Sequence, residues 1–163
     1  MRYHNITKDD MLNGDGLRTV LWVSGCTHRC PGCHNPMTWN IQDGLLFDQA
    51  AKDELFAALD QEYISGVTFS GGDPLHPDNR QEIGELIGEI RKRFPDKTIW
   101  VYTGYTWEEL QNLAYLSEID VLVDGVFIQA QKDNTLMWRG SANQRVIDVK
   151  KSLAEQAVVL HCL

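Results

Sequence analysis

Apolar positions along this chain come in short blocks whose spacing switches between strand-like runs and helical periods. Val20, Leu21, Trp22 and Val23 are contiguous, and the stretch from Thr19 to Ser24 predicts a buried strand that stops at Gly25. After Asp48, a predicted N-cap, the apolar residues Ala51, Leu55, Phe56 and Leu59 recur at helical spacing towards Tyr63. A short strand over Val67, Thr68 and Phe69 follows, then a second helix whose face carries Ile83, Leu86, Ile87, Ile90 and Phe94 and which Pro95 stops. Thr98 to Tyr102 predicts a third strand. Thr106 and Glu109 form a capping-box pattern ahead of Leu110, Leu113 and Leu116, which predicts a third helix. Asp120 to Val123 and Arg145 to Val149 are the fourth and fifth expected strands, separated by a polar stretch from Asp124 to Gln144. The tail from Lys150 fits helix and strand equally.

Strand and helix alternate, which implies an α/β fold with mostly parallel strands joined by helical crossovers. A closed eightfold barrel takes about 250 residues, and this chain has 163. The expectation is therefore a partial, open (β/α) barrel forming a single domain over 1–163. In such folds reactive groups gather where parallel strands end. Cys26 and the pair Gly71 and Gly72 each follow a predicted strand, so they are expected at one edge, facing one ligand.

The formal net charge of −8 argues against nucleic acid or an anionic membrane as the main partner. No apolar stretch is long enough for a membrane span, and the first residues show no basic-then-apolar signal, so a cytoplasmic location is expected.

Of the four cysteines, Cys26, Cys30 and Cys33 cluster as CxxxCxxC, and Cys162 lies far away near the carboxyl end. In a reducing compartment such a cluster points to metal or redox chemistry rather than disulfides. Three thiolates on a short loop suit an iron–sulfur cluster with one iron left open to a ligand; four would close it. Two other readings use the same residues: a Cys3His zinc site completed by His28 or His34, and a reactive cysteine pair. Cys162 is not expected to be a fourth ligand.

The stretch Gly71, Gly72, Asp73, Pro74 reads alone as a turn. After a buried strand, its paired glycines also let backbone approach a ligand, and Asp73 offers an acceptor for an ammonium group. Together these residues resemble the radical S-adenosylmethionine superfamily, marked by a CxxxCxxC loop and a GGE-type loop after the second strand. Asn13 to Arg18, Cys33 to Asn35 with Thr38 and Trp39, and Gly71 to Leu75 are similar to the activating enzymes of glycyl-radical proteins. The segments Trp100 to Tyr105, Val121 to Gly125 and Trp138 to Gln144 are similar to the branch whose protein substrate is an anaerobic ribonucleoside-triphosphate reductase.

The resemblance implies that Cys26, Cys30 and Cys33 bind a [4Fe-4S] cluster whose open iron is chelated by S-adenosyl-L-methionine. It implies reductive cleavage of that cofactor to a 5′-deoxyadenosyl radical, transfer of the radical to a glycine of the reductase, and a low-potential electron donor such as flavodoxin. Gly71, Gly72 and Asp73 are then expected at the methionine end, Gly32 and His34 near the nucleoside, and Thr103 at the ribose or carboxylate. Three positions depart from the pattern: Gly32 stands where an aromatic residue is common, Asp73 where glutamate is, and Asp15 where related activating enzymes often carry proline. Trp22 and Trp100 are expected in the core.

Overall fold

The computed structural model describes residues 1–161, so Cys162 lies outside the described residues. In chain order the regular elements are β1 (Arg2–Asp10), β2 (Arg18–Val23), β3 (Leu45–Leu46), α1 (Gln49–Leu59), β4 (Gly66–Gly71), α2 (Arg80–Arg93), β5 (Thr98–Tyr102), β6 (Val121–Asp124), β7 (Arg145–Asp148) and α3 (Val149–Glu155). The strands form one sheet in the order β3-β1-β2-β4-β5-β6-β7, with β3 and β7 as its edges, so the sheet is open.

The pairs β2 with β4, β4 with β5 and β5 with β6 are parallel. Those of β1 with β2, β1 with β3 and β6 with β7 are antiparallel. The expected mostly parallel sheet is thus corrected to a parallel centre with antiparallel margins. A parallel return needs a covering crossover, and the connection from β1 to β2, residues 11–17, is too short for one. The amino-terminal strand escaped the sequence reading for a local reason. Its register against β2 shifts between Tyr3 and Asn5, and that irregularity breaks the two-residue alternation by which a strand is recognised.

Helices α1 and α2 form as their periodicity predicts. The Asp48 side chain accepts from the Ala51 amide at 2.9 Å and caps α1, whose Ala51, Leu55, Phe56 and Leu59 are buried. In α2, Ile83, Leu86, Ile87 and Ile90 are buried, with Glu82 in the first turn and Arg91, Lys92 and Arg93 in the last, an arrangement that suits the helix dipole. Both helices pack with Leu21, Val23, Val67, Phe69, Ile99 and Val101 in the larger core.

The third predicted helix is instead a pair of short 3-10 turns, Trp107–Leu110 and Leu116–Glu118. The capping box is present, with both of its reciprocal hydrogen bonds. The amides of Leu113, Leu116 and Ile119 nevertheless bond to the carbonyls of Leu110, Leu113 and Leu116, so each bond spans three residues. Apolar residues spaced every three positions align along a 3-10 turn, whereas an α-helix carries them out of line. The tail resolves into α3, ended by Gln156 in the left-handed conformation, followed by a bridge from Leu160 to Ile147.

The opposite face of the sheet carries a smaller cluster of Trp100, Val121, Val123 and Val146, against which Tyr102 and Trp138 pack. Above it, at the carboxyl ends of the parallel strands, lies the principal cavity.

Candidate functional site

Four consecutive parallel strands deliver four loops to one edge: β2 leads into Gly25 and Cys26, β4 into Gly72 and Asp73, β5 into Thr103 and Gly104, and β6 into Gly125. Residues from each of these loops line one cavity of about 540 Å³, a size typical of small-molecule sites. Cys26, Cys30 and Cys33 all line it, all are free thiols, and all are partly buried. The sheet edge thus brings together the two loops that the sequence placed there separately.

The cysteine loop is anchored at its base. The amides of Gly25 and Cys26 bond to the carbonyls of Thr38 and Trp39 at 2.7 and 3.0 Å. Its tip closes through the Cys33 amide to the Cys30 carbonyl at 3.1 Å, with Gly32 at φ 77° in the left-handed region. A Cβ at Gly32 would lie 2.9 Å from the Gln129 side chain, so the glycine meets both a turn and a packing demand. The Asn35 amide reaches Cys33 Sγ at 3.3 Å. Burial pushes the Cys26 thiol above its ordinary range, an effect opposed by the backbone amide of His28 and reinforced by the charge of Asp73. A thiol raised in this way stays protonated at neutral pH unless a metal ion displaces its proton.

Among the described residues, no three His, Cys, Asp or Glu side chains converge as donors to one ion. The thiolates of a cluster bind separate irons, so they need not converge on one point. The donor set of three free thiols on one cavity wall fits a cluster.

The glycine loop is held against the same base. Gly72 donates to the Val23 carbonyl at 2.8 Å and Asp73 to that of Gly25 at 2.7 Å. The Asp73 carboxylate, 1% exposed, is the hub of the site. It accepts from the Leu75 amide at 2.8 Å, from Thr103 Oγ1 at 2.9 and 3.1 Å, from the Gly104 amide at 3.0 Å and from His28 Nε2 at 2.8 Å. This hydrogen bond is the main influence raising the His28 pKa above its ordinary value.

A family model described as a 4Fe-4S single cluster domain matches residues 12–147. The chain is 47% identical over 151 residues to the anaerobic ribonucleoside-triphosphate reductase-activating protein of Escherichia coli K12, covering 90% of this chain and 97% of that protein. It is 44% identical over 146 residues to the protein of the same name from Enterobacteria phage T4, covering 90% and 93%. The Haemophilus influenzae protein of that name is 47% identical over 148 residues, covering 88% and 96%. The chain belongs to the family of anaerobic ribonucleoside-triphosphate reductase-activating proteins. The 4Fe-4S description of the matched model supports an iron–sulfur cluster rather than zinc.

Set against the sequence reading, Gly71, Gly72, Asp73, Thr103 and His34 are all brought to the cavity. Thr103 is buried and its hydroxyl is committed to Asp73. The His34 ring stands edge-on to Phe127 at 5.5 Å, while Gly32 is exposed beside the Gln129 side chain. Trp100 is core as expected, but Trp22 lines the cavity and donates from Nε1 to Thr7 Oγ1 at 2.8 Å. Asn143 and Arg145 have local duties. Asn143 Nδ2 holds the Val126 carbonyl, and Arg145 pairs with Asp124 and Glu108, which raise its pKa further.

Sequence reasoning missed two residues. Buried Asn79 donates to the carbonyls of Ser24 and Asp73 and ties α2 to both loops. His28 had been weighed only as a zinc ligand, and its true contact is 45 positions away along the chain. No helix among the described residues is long and apolar enough to cross a membrane.

Gly72 supplies a direct test of this geometry. A Cβ there would lie 2.6 Å from the Gly25 carbonyl oxygen and 2.8 Å from that of Thr38, both backbone atoms. Gly72→Ala is expected to push the glycine loop off the cysteine-loop base while leaving the distant core intact. The expected signature is a melting temperature lowered by about 3 to 10 °C, corresponding to the ~1 to 3 kcal/mol an overpacked site costs, together with at least a halved iron content after anaerobic reconstitution.

Proposed function

We propose that this chain activates an anaerobic ribonucleoside-triphosphate reductase by generating a radical from S-adenosyl-L-methionine and passing it to a glycine of that enzyme. The observation that carries this reading is the meeting of Cys26, Cys30 and Cys33 with Gly71, Gly72 and Asp73 on one cavity at the carboxyl edge of the parallel strands. In this reading the open α/β sheet is the partial barrel of the radical S-adenosylmethionine type, used as a single domain.

Cys26, Cys30 and Cys33 would hold a [4Fe-4S] cluster by three of its irons, and the remaining iron would be open to the cofactor. When bound, the reduced cluster supplies the electron that splits the sulfonium into methionine and a 5′-deoxyadenosyl radical, which takes a hydrogen atom from the partner's glycine and leaves a glycyl radical there. The chain's own residues do the positioning. Gly71 and Gly72 admit backbone to the methionine end, Asp73 accepts from the ammonium, and Thr103 fixes the carboxylate of Asp73 from the next strand. Gly32 and His34 border the nucleoside. The aromatic walls Trp22, Trp39, Phe127 and Trp138 line the same cavity and exclude water from the path of a reactive radical.

The reading further holds that the protein works in the cytoplasm, takes its electron from a low-potential donor such as flavodoxin, and has neither nucleic acid nor membrane as its partner. The test is an anaerobic mixture of the iron-loaded chain, reductant, S-adenosyl-L-methionine and the reductase, examined by electron paramagnetic resonance. A carbon-centred radical on the reductase, with 5′-deoxyadenosine and methionine formed in step, is expected. A mixture in which the cofactor stays intact sinks the reading.

A further inference from the structure

An ionised carboxylate offers about four lone-pair sites, and those of Asp73 are already filled. The donors are the Leu75 amide, the Thr103 hydroxyl, the Gly104 amide and His28 Nε2. Asp73 is also 1% exposed, so water does not compete for these positions. An incoming ammonium therefore reaches this carboxylate only by displacing a donor.

The four donors are unequal in how readily they leave. Leu75 belongs to the same turn as Asp73, and its amide is fixed by the chain two residues on. The Gly104 amide and the Thr103 hydroxyl belong to the end of β5, and the Thr103 amide is itself bonded to the Val123 carbonyl at 3.0 Å in the next strand. His28 alone comes from a loop outside that framework. Its side chain keeps 15% exposure and lines the cavity, so it is reached from the side a ligand enters. The ring is held edge-on by Tyr105 at 4.7 Å. It lies over Gly104, where a Cβ would be 2.5 Å away. Such a ring leaves by rotation about its own side-chain bonds, with no backbone hydrogen bond broken.

We infer that His28 is a placeholder at Asp73: it occupies the carboxylate oxygen that receives the ligand's ammonium group and gives it up when the ligand binds. The inference rests on the proposed binding of S-adenosyl-L-methionine at this cavity. It assigns to a residue between Cys26 and Cys30 a task that is neither iron ligation nor proton transfer. While the ligand is away, the buried carboxylate stays satisfied. When the ligand arrives, a charged ammonium replaces the imidazole, and the affinity measured is lowered by the contact that had to be broken.

The variants His28→Phe and His28→Gln separate this role from simple packing. Phe keeps a ring against Tyr105 and removes the donor, whereas Gln keeps an N–H near the place of Nε2. The chains are reconstituted with iron and sulfide, the cluster is left oxidised so that no cleavage occurs, and binding of radiolabelled S-adenosyl-L-methionine is measured by equilibrium dialysis. His28→Phe is expected to take up iron as wild type does and to bind the cofactor roughly tenfold more tightly, the scale of one hydrogen bond to a charged group no longer displaced. His28→Gln is expected to stay close to wild type. An iron-loaded His28→Phe chain that binds no more tightly overturns the inference, as does failure of both variants to take up iron, which would make His28 a support of the cysteine loop instead. A wild-type chain that binds no S-adenosyl-L-methionine overturns the proposed function, so the two failures are told apart.

Discussion

Serine in place of Cys26, Cys30 or Cys33 is expected to reduce bound iron from about three to four atoms per chain, the content of a [4Fe-4S] cluster, to near zero. All three thiols line the same cavity from one loop, and none is paired with another cysteine. A serine hydroxyl keeps the size of the side chain but not the soft, readily ionised sulfur that holds iron. Loss of one ligand leaves two, too few to retain a cluster against solvent. The fold itself has little stake in these positions, because the core lies in the helix-covered face and around Trp100, away from the loop. Each variant is therefore expected to keep a cooperative thermal transition while losing the brown absorbance of the reconstituted protein and all cleavage of S-adenosyl-L-methionine. Cys162→Ser is expected to retain both iron and cleavage. A Cys30→Ser chain with full iron content would remove the cluster from this loop.

Arg18→Met is expected to be the most destabilising single change outside the cysteine loop. Arg18 is fully buried, and among the described residues no carboxylate lies within hydrogen-bond reach of its guanidinium. Nε donates to Thr68 Oγ1 at 2.9 Å, Nη1 to Thr98 Oγ1 and the Asp15 carbonyl at 2.8 and 3.0 Å, and Nη2 to the Thr98 and Val67 carbonyls at 2.8 and 2.9 Å. All its donors are thus used, and they tie the amino ends of β2, β4 and β5 to the turn before β2. The Trp100 ring lies 5.4 Å from the guanidinium carbon and adds a cation–π contact. Burial pulls the pKa of Arg18 down to about 10, which leaves the group charged at neutral pH.

Methionine fills similar space but removes all of these hydrogen bonds, of which those to Thr68 Oγ1 and the Val67 carbonyl are fully buried. The expected loss is about 3 kcal/mol, the scale for removing one partner of a buried polar network. At this chain length that corresponds to a melting temperature lower by about 10 °C. Arg18→Lys is expected to recover little, since one ammonium cannot reproduce a planar fork of donors. Thermal unfolding of the anaerobically reconstituted protein, followed by circular dichroism, measures both. A Met variant melting within about 2 °C of wild type would show that the network contributes little.

Periodicity made α1, α2 and the four parallel strands legible in the sequence, because burial against a single helix-covered face forces apolar residues into regular positions. The cysteine spacing likewise announced metal chemistry, since few other uses bring three thiols so close along a chain. The glycine loop was legible as a ligand loop only through its place after a strand and its resemblance to a family. Where the signal misled, more than one local structure met the same residue spacing. The Leu110, Leu113 and Leu116 pattern served as an α-helix face on paper, and a 3-10 path uses it better. The displaced register of β1 hid a strand that pairs along most of β2.

By itself, then, the sequence determined which segments bury apolar surface and which loop carries the thiols, because both are set by residue type at short range. Only the tertiary structure decided that His28, Asp73, Thr103 and Gly104 share one buried carboxylate, and that Arg18 binds three strands together. Those contacts join positions tens of residues apart along the chain. Hydrogen-bond partners at such separations are fixed by strand order and register, which no local pattern encodes.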